Sequence, residues 1–216
     1  MPKSKRDKKV SLTKTDSKGR QQKQKMVQKV REAIDEFDAL YTFRFDNMRS
    51  NNFKECRADW RDSRFFLGKN KLMQIALGRT PEDEYQDGLR SISKELVGNV
   101  GLLMTSRPRD EVESYFSNFS KKDFAKAGAI APENVTLERG SLNFPAYMMS
   151  EIRKLGLTVE VRDAVLELME DATICVAGEP IGVEAAKLLE HMQLKLATFQ
   201  ISLVSRWSEA DGYEEY

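Results

Sequence analysis

The stretch Gly68-Lys69-Asn70-Lys71 carries the clearest chemical signal in this chain. It follows the apolar run Phe65-Phe66-Leu67 and opens a helical rhythm that stops near Gly78, so the spacing predicts a strand-to-helix junction. The first backbone N–H groups of a helix lack partners within it, and the aligned peptide dipoles leave that end positive. An anion is the natural occupant, and two lysines strengthen the attraction. Just upstream, Phe53, Cys56 and Trp60 recur at helical spacing between Ser50 and Arg61, with Lys54, Arg57 and Arg61 forming a cationic stripe beside them. One face packs and the next can meet phosphate. From Tyr41 to Arg79 there are nine Lys and Arg against four Asp and Glu.

These residues support binding an anion better than transforming one. A nucleotide-binding P-loop needs GxxxxGK[ST]; here Arg64-Phe65-Phe66-Leu67 stands where the upstream glycine belongs, and Asn70 replaces the hydroxyl that would hold magnesium. His191 is the only histidine, so Ser/His/Asp or Cys/His catalysis has no supporting pattern. Glu111 with Glu113, and Glu214 with Glu215, are spaced so that they do not converge on one substrate. Cys56 and Cys175 are far apart without a CxxC neighbour, which argues for two reduced, buried thiols and against zinc or a disulfide framework. Trp60 and Trp207 could stack on a base, but each sits in an apolar pattern that favours core packing. We expect no enzyme activity, no metal and no cofactor. The plain alternative for the cationic stripe is a solvated helix face.

The charge distribution of the whole chain points the same way. The total of +1 over 216 residues hides a net +10 in Met1–Arg31, which leaves −9 on the rest. A cationic arm on an acidic body pairs with polyanions, nucleic acid first. Residues 1–20 contain only Val10 and Leu12 as apolar punctuation and are expected to be a disordered basic arm. A helix is predicted over 21–40 from Met26, Val27, Val30, Ile34, Phe37 and Leu40, with Lys23, Lys25 and Lys29 in its first turns. Tyr41, Phe43 and Phe45 alternate as a strand with one buried face, Leu102-Leu103-Met104 suits a further strand, and a helix covers 110–119. The fold class read from this alternation is α/β (α+β), a sandwich of helices and sheet. From about 124 to 181 Gly, Pro and short alternating runs predict a small β-rich insertion domain. The surrounding α/β domain is read as residues 21–123 plus 182–216. No window approaches eighteen apolar residues, so no membrane span is expected.

Four blocks make the sequence recognisable: Phe66-Leu67-Gly68-Lys69-Asn70, Gly98-Asn99-Val100-Gly101, Ala127-Gly128-Ala129-Ile130-Ala131-Pro132 and Ala177-Gly178-Glu179-Pro180-Ile181-Gly182. In this order they resemble the ribosomal stalk-base protein family, P-zero and its paralogues. The opening Met1–Thr15, and Gly68–Met73 with Ala76-Leu77-Gly78-Arg79, look like the ribosome-assembly branch of that family. Lys71 stands where the stalk protein usually has Thr, and the chain stops soon after its last strand, without the stalk protein's helical spine and terminal acidic-aromatic motif.

The resemblance implies an RNA-binding α/β domain, interrupted by an insertion domain, that grips large-subunit rRNA at the stalk base. It further implies a placeholder in nucleolar and nuclear pre-60S particles, with shuttling to the cytoplasm, later replaced by the stalk protein. Expected partners are that rRNA, pre-60S ribosomal proteins adjacent to the stalk and a phosphatase-like release factor, with the protein a monomer within the particle. Carried onto this chain, the RNA-facing positions are Asn47, Arg49, Lys54, Arg57, Arg61 and Gly68, Lys69, Asn70 and Lys71; Lys23 and Lys25 extend them from the arm. Two rivals stay open: a divergent stalk-base ribosomal protein, and a phosphate-handling enzyme built on Gly68-Lys69.

Overall fold

The computed structural model describes residues 19–216; the arm predicted over residues 1–20 lies almost wholly outside them. In chain order the elements of the main layer are α1 (Arg20–Glu36), β1 (Ala39–Asp46), α2 (Ser50–Asp59), β2 (Arg64–Phe66), α3 (Asn70–Leu77), α4 (Leu89–Glu95), β3 (Val100–Thr105), α5 (Arg109–Asn118) and β4 (Ser120–Asp123). There follow β5 (Val135–Leu137), β6 (Gly140–Pro145), α6 (Met149–Lys154), β7 (Val159–Arg162), β8 (Val165–Leu168), β9 (Ala172–Cys175) and α7 (Val183–His191). The chain closes with β10 (Ala197–Ser208) and β11 (Gly212–Glu215).

The main sheet has the order β11-β10-β1-β3-β2, with β4 also paired to β10, and every pairing is antiparallel. β1 and β2 run the same way with β3 between them, so β1-α2-β2 is a split βαβ crossover. Alternate residues feed two cores. Leu40, Leu102, Met104, Phe66 and Trp207 pack with α1, α3 and α4 on one face. Tyr41, Phe43, Leu103, Phe65 and Phe199 pack with α2 and α5 on the other. The fold is α/β, helices covering both faces of one sheet.

Two local readings differ from the structure for physical reasons. The apolar rhythm that predicts a helix to Leu40 ends at Glu36, because Phe37 turns extended (φ −115°, ψ 146°) and Leu40 is taken into the strand. β1 is buried on both faces from Ala39 to Phe43, Thr42 included, since it lies between β10 and β3 under helices on each side. The acidic end forms an edge strand: Gly212 turns at φ 74°, Tyr213 pairs with Trp207, and Glu214 meets Arg109 at 2.6 Å. His191 is half-buried, 3.4 Å from Glu151.

Residues 124–196 carry their own small sheets, β5-β9 and β6-β8-β7, over two apolar clusters. Helix α7, which the charge and periodicity reading grouped with the main domain from residue 182, sends Leu188 into the cluster of Ile152, Leu157 and Leu166. Its Leu189 joins Ala125, Ala131, Cys175 and Ile181. The amphipathic stripe of α7 is satisfied there, and the chain rejoins the main sheet at Ala197 through β10.

Gly101 is tightly packed within the main layer. A Cβ on it would lie 2.5 Å from Phe43 Cζ and 2.6 Å from Leu67 Cδ2. Gly101→Val is expected to destabilise the fold by about 1–3 kcal/mol through overpacking, read as a lowered urea midpoint with unchanged slope. Cys56 is fully buried, and burial pushes its thiol up to about 11. Its thiolate fraction at pH 8 is expected to fall roughly a hundredfold, so Cys56 should react with Ellman's reagent in urea and resist it in the native protein.

Candidate nucleic-acid interface

The topology sets the polarity of the helices. β1 ends, β2 ends and β3 begins at one end of the sheet, where Arg44 pairs with Val100 and Phe66 with Leu102. Helix α2 leaves β1 at this end and α3 leaves β2 there. Helix α1 also begins there, because Gly68 lies against Met26, 3.1 Å from where its Cβ would stand to the Met26 Cε. At its far end, Glu36 meets Arg64 at 3.0 Å. Three helix N-termini therefore gather at one end of the molecule.

None of the three carries an acidic first turn of its own, and among the described residues only at α2 does a carboxylate from elsewhere, Asp123, lie beside the N-cap, 3.9 Å from Arg49. The N-cap residues of α1, α2 and α3 are Gly19, Arg49 and Lys69, none makes a side-chain cap hydrogen bond, and none of the helices has an acidic residue in its first turn. A side-chain cap hydrogen bond is missing from α4, α5, α6 and α7 too, and α4 likewise lacks a first-turn acid, but α5 opens with Asp110 and Glu111, α6 has Glu151 and α7 has Glu184. A lysine or arginine at an N-cap places positive charge on the positive dipole end, a local cost that a bound anion offsets.

The residues singled out from sequence fall into three groups. Lys69 and Lys71 are exposed at the start of α3, and Lys23 and Lys25 are exposed on the first turns of α1 beside them. Asn70 fixes the junction: its side-chain amide donates to the Gly98 carbonyl (3.0 Å), while Phe45 N donates to Asn99 O (3.1 Å), so the Gly98–Gly101 block holds the ends of β1 and β2 together. Lys54, Arg57 and Arg61 are exposed along α2, which packs on the opposite face of the sheet from α3. They run along the β2 edge away from the helix N-termini and end beside Arg64. The stripe and the junction are thus two arms of one basic border, not one patch.

Asn47 and Arg49 are already engaged inside the protein. Asn47, at φ 52°, donates to the Thr198 carbonyl (3.1 Å), and Arg49 donates to the Phe124 carbonyl (2.9 Å) with Asp123 at 3.9 Å. Asn52 adds a bond to Asp123 (2.7 Å) and Lys126 one to the Met48 carbonyl (3.1 Å). These four side chains lace the loop that opens α2 to the segments by which the chain leaves and re-enters the main sheet.

Among the described residues, Lys54, Arg57, Arg61, Lys69 and Lys71 have no carboxylate within ion-pair distance, whereas Arg107, Arg109, Arg162 and Arg206 are all paired. Arg44 is a further exposed cation that the sequence reading did not single out. It is exposed at the end of β1, across from Val100, and its outward phase in the Tyr41-Phe43-Phe45 alternation was the available signal. Trp60, by contrast, is a core residue, capped by Arg107 at 4.2 Å and stacked on Phe116 at 5.4 Å. Among the described residues no His, Cys, Asp and Glu cluster is placed to hold a metal, and no helix is long and apolar enough to cross a membrane. What the border offers chemically is backbone donors and free cations for phosphate.

Comparison with known proteins adds a lineage to this geometry. The family model for Ribosomal protein L10 matches residues 18–121, and that for the insertion domain of the corresponding 60S ribosomal protein matches 125–194. The chain is 37% identical to a protein of Neurospora crassa over 98% of this chain and 92% of the relative, and 33% identical to one of Dictyostelium discoideum over 97% and 94%; both are named ribosome assembly factor mrt4. The large ribosomal subunit protein uL10 of Saccharomyces cerevisiae is 25% identical over 86% of this chain and 59% of its own length. The chain belongs to the Mrt4 family, a paralogue of the ribosomal protein L10 family.

Proposed function

We propose that this protein is a non-catalytic assembly factor of the large ribosomal subunit that docks on folded rRNA at the stalk base. The observation that carries the reading is the gathering of three uncapped helix N-termini with unpaired Lys69 and Lys71 at one end of the sheet. Phosphates replace the missing caps, and Lys23, Lys25, Lys54, Arg57 and Arg61 extend the footprint along α1 and the β2 edge. Asn47, Arg49 and Asn70 hold the contacting loops in place. Recognition is by backbone shape and charge, as suits folded RNA. The names of the relatives support assembly as the context. Within it, the protein occupies the site in nucleolar and nuclear pre-60S particles until a phosphatase-like factor releases it and the stalk protein takes its place. Residues 21–123 with the returning strands form the RNA-binding domain and the intervening segment an insertion domain. Cosedimentation with nuclear precursors, against mature ribosomes, separates this role from that of a stalk-base ribosomal protein.

If roughly six to ten phosphates are engaged, affinity for a stalk-base rRNA fragment should fall about a thousandfold or more between about 50 and 200 mM salt; a flat curve contradicts the reading. Replacing Lys69 and Lys71 by Glu together should reduce the slope of log affinity against log salt by about two, with the fold intact by circular dichroism. Lys69→Asp separates fold from function. It supplies the missing cap of α3 and should stabilise the free protein by about 0.5–2 kcal/mol in thermal melts while weakening RNA binding.

A further inference from the structure

The insertion domain presents a surface of the opposite character. Residues 126–132 and 176–183 lie side by side, with Ile130 bridged to Pro180. Gly128 N donates to Ile181 O (2.8 Å), Ile181 N to Ala129 O (2.8 Å), Ala131 N to Glu179 O (2.9 Å) and Gly178 N to Ala131 O (2.9 Å). Asn134 accepts from Ala177 N at 2.7 Å, and Ala131, Cys175, Ile181 and Leu189 pack beneath. These loops are as firmly held as a strand pair, yet they hold apolar side chains outward: Ile130 is 62% exposed, Val183 56% and Val176 43%. A cluster of apolar residues on a rigid, pre-organised support marks an interaction surface, since little ordering cost remains for binding.

The charge around it selects the partner. Between residues 124 and 194 there are eleven carboxylates against six Lys and Arg. On the two loops themselves and at their ends, Glu133, Glu179 and Glu184 are exposed and, among the described residues, none is in an ion pair. Lys126, the one cation there, is tied to the Met48 carbonyl. Phosphate is repelled by such a surface, and a second copy would bring like charge against like.

We propose that the paired loops 126–132 and 176–183 dock a basic protein segment, a Lys- or Arg-rich stretch whose apolar side chains cover Ile130, Val176 and Val183. The inference assumes the ribosomal setting proposed above only in taking a precursor particle as the place to look. There, a protein carrying RNA on its basic border would hold a basic protein on its acidic one.

The test is a photo-crosslinker, p-benzoylphenylalanine, placed at Ile130 in the full chain, with Val161 on β7 as a control position. Cosedimentation of both variants with large-subunit precursors comes first; loss of that step counts against the ribosomal reading, not against the loops. On particles that carry the protein, crosslinking from position 130 to a net-positive protein segment, at least tenfold above position 161, is expected. A companion with Glu133, Glu179 and Glu184 changed to Lys should lower that crosslink about tenfold, with affinity for the naked rRNA fragment unreduced. Crosslinks to RNA, to an acidic segment or to another copy of this chain, or none at all, overturn the proposal.

Discussion

The burial of β1 on both faces is the constraint from which the rest follows. Leu40 must be covered by α1, α3 and α4, while Tyr41 and Phe43 must be covered by α2 and α5. Thr42 is sealed between them. The backbone groups of β1, buried with it, are paired to β3 on one side and β10 on the other. With β3 inserted between β1 and β2, the α2 crossover and the α3-α4 pair are forced onto opposite faces. The common starting end of α1, α2 and α3 is then a product of topology. Electrostatics acts afterwards, on positions the core has already fixed.

This order explains why the basic border tolerates its own repulsion. Arg49 and Lys69 stand at N-caps, where Ser, Thr, Asp or Asn would serve the isolated protein better. The packing of Phe53 and Cys56 holds α2, and that of Met73 and Ala76 holds α3, without such caps. Elsewhere the fold uses ordinary devices: acidic first turns on α5, α6 and α7, and carboxylate partners for Arg107, Arg109 and Arg206. Cations placed at N-caps, where they oppose the helix dipole, suit a surface that meets an anion from outside the chain.

Much of this was legible in the residues. Phe53, Cys56 and Trp60 placed α2, Gly68 placed the junction, and the alternation through Phe45 placed β1. What the one-dimensional pattern lacked was the partner of each element. The two-sided burial of β1 depends on strands far along the chain, so its single alternating stripe looked half-exposed. The allegiance of α7 depends on which cluster its leucines reach, and periodicity records only that they share a face. The engagement of Asn47 and Arg49 depends on Thr198 and Phe124, and nothing in the local sequence distinguishes a cation aimed at a carbonyl from one aimed at solvent.

The four side chains that lace the α2 loop also make a mechanical joint. Asn47 and Arg49 reach from the loop to Thr198 and Phe124, and Lys126 reaches back to Met48. The insertion's root and the first turn of α2 therefore share one set of hydrogen bonds, so neither end of that set can shift without breaking bonds to the other.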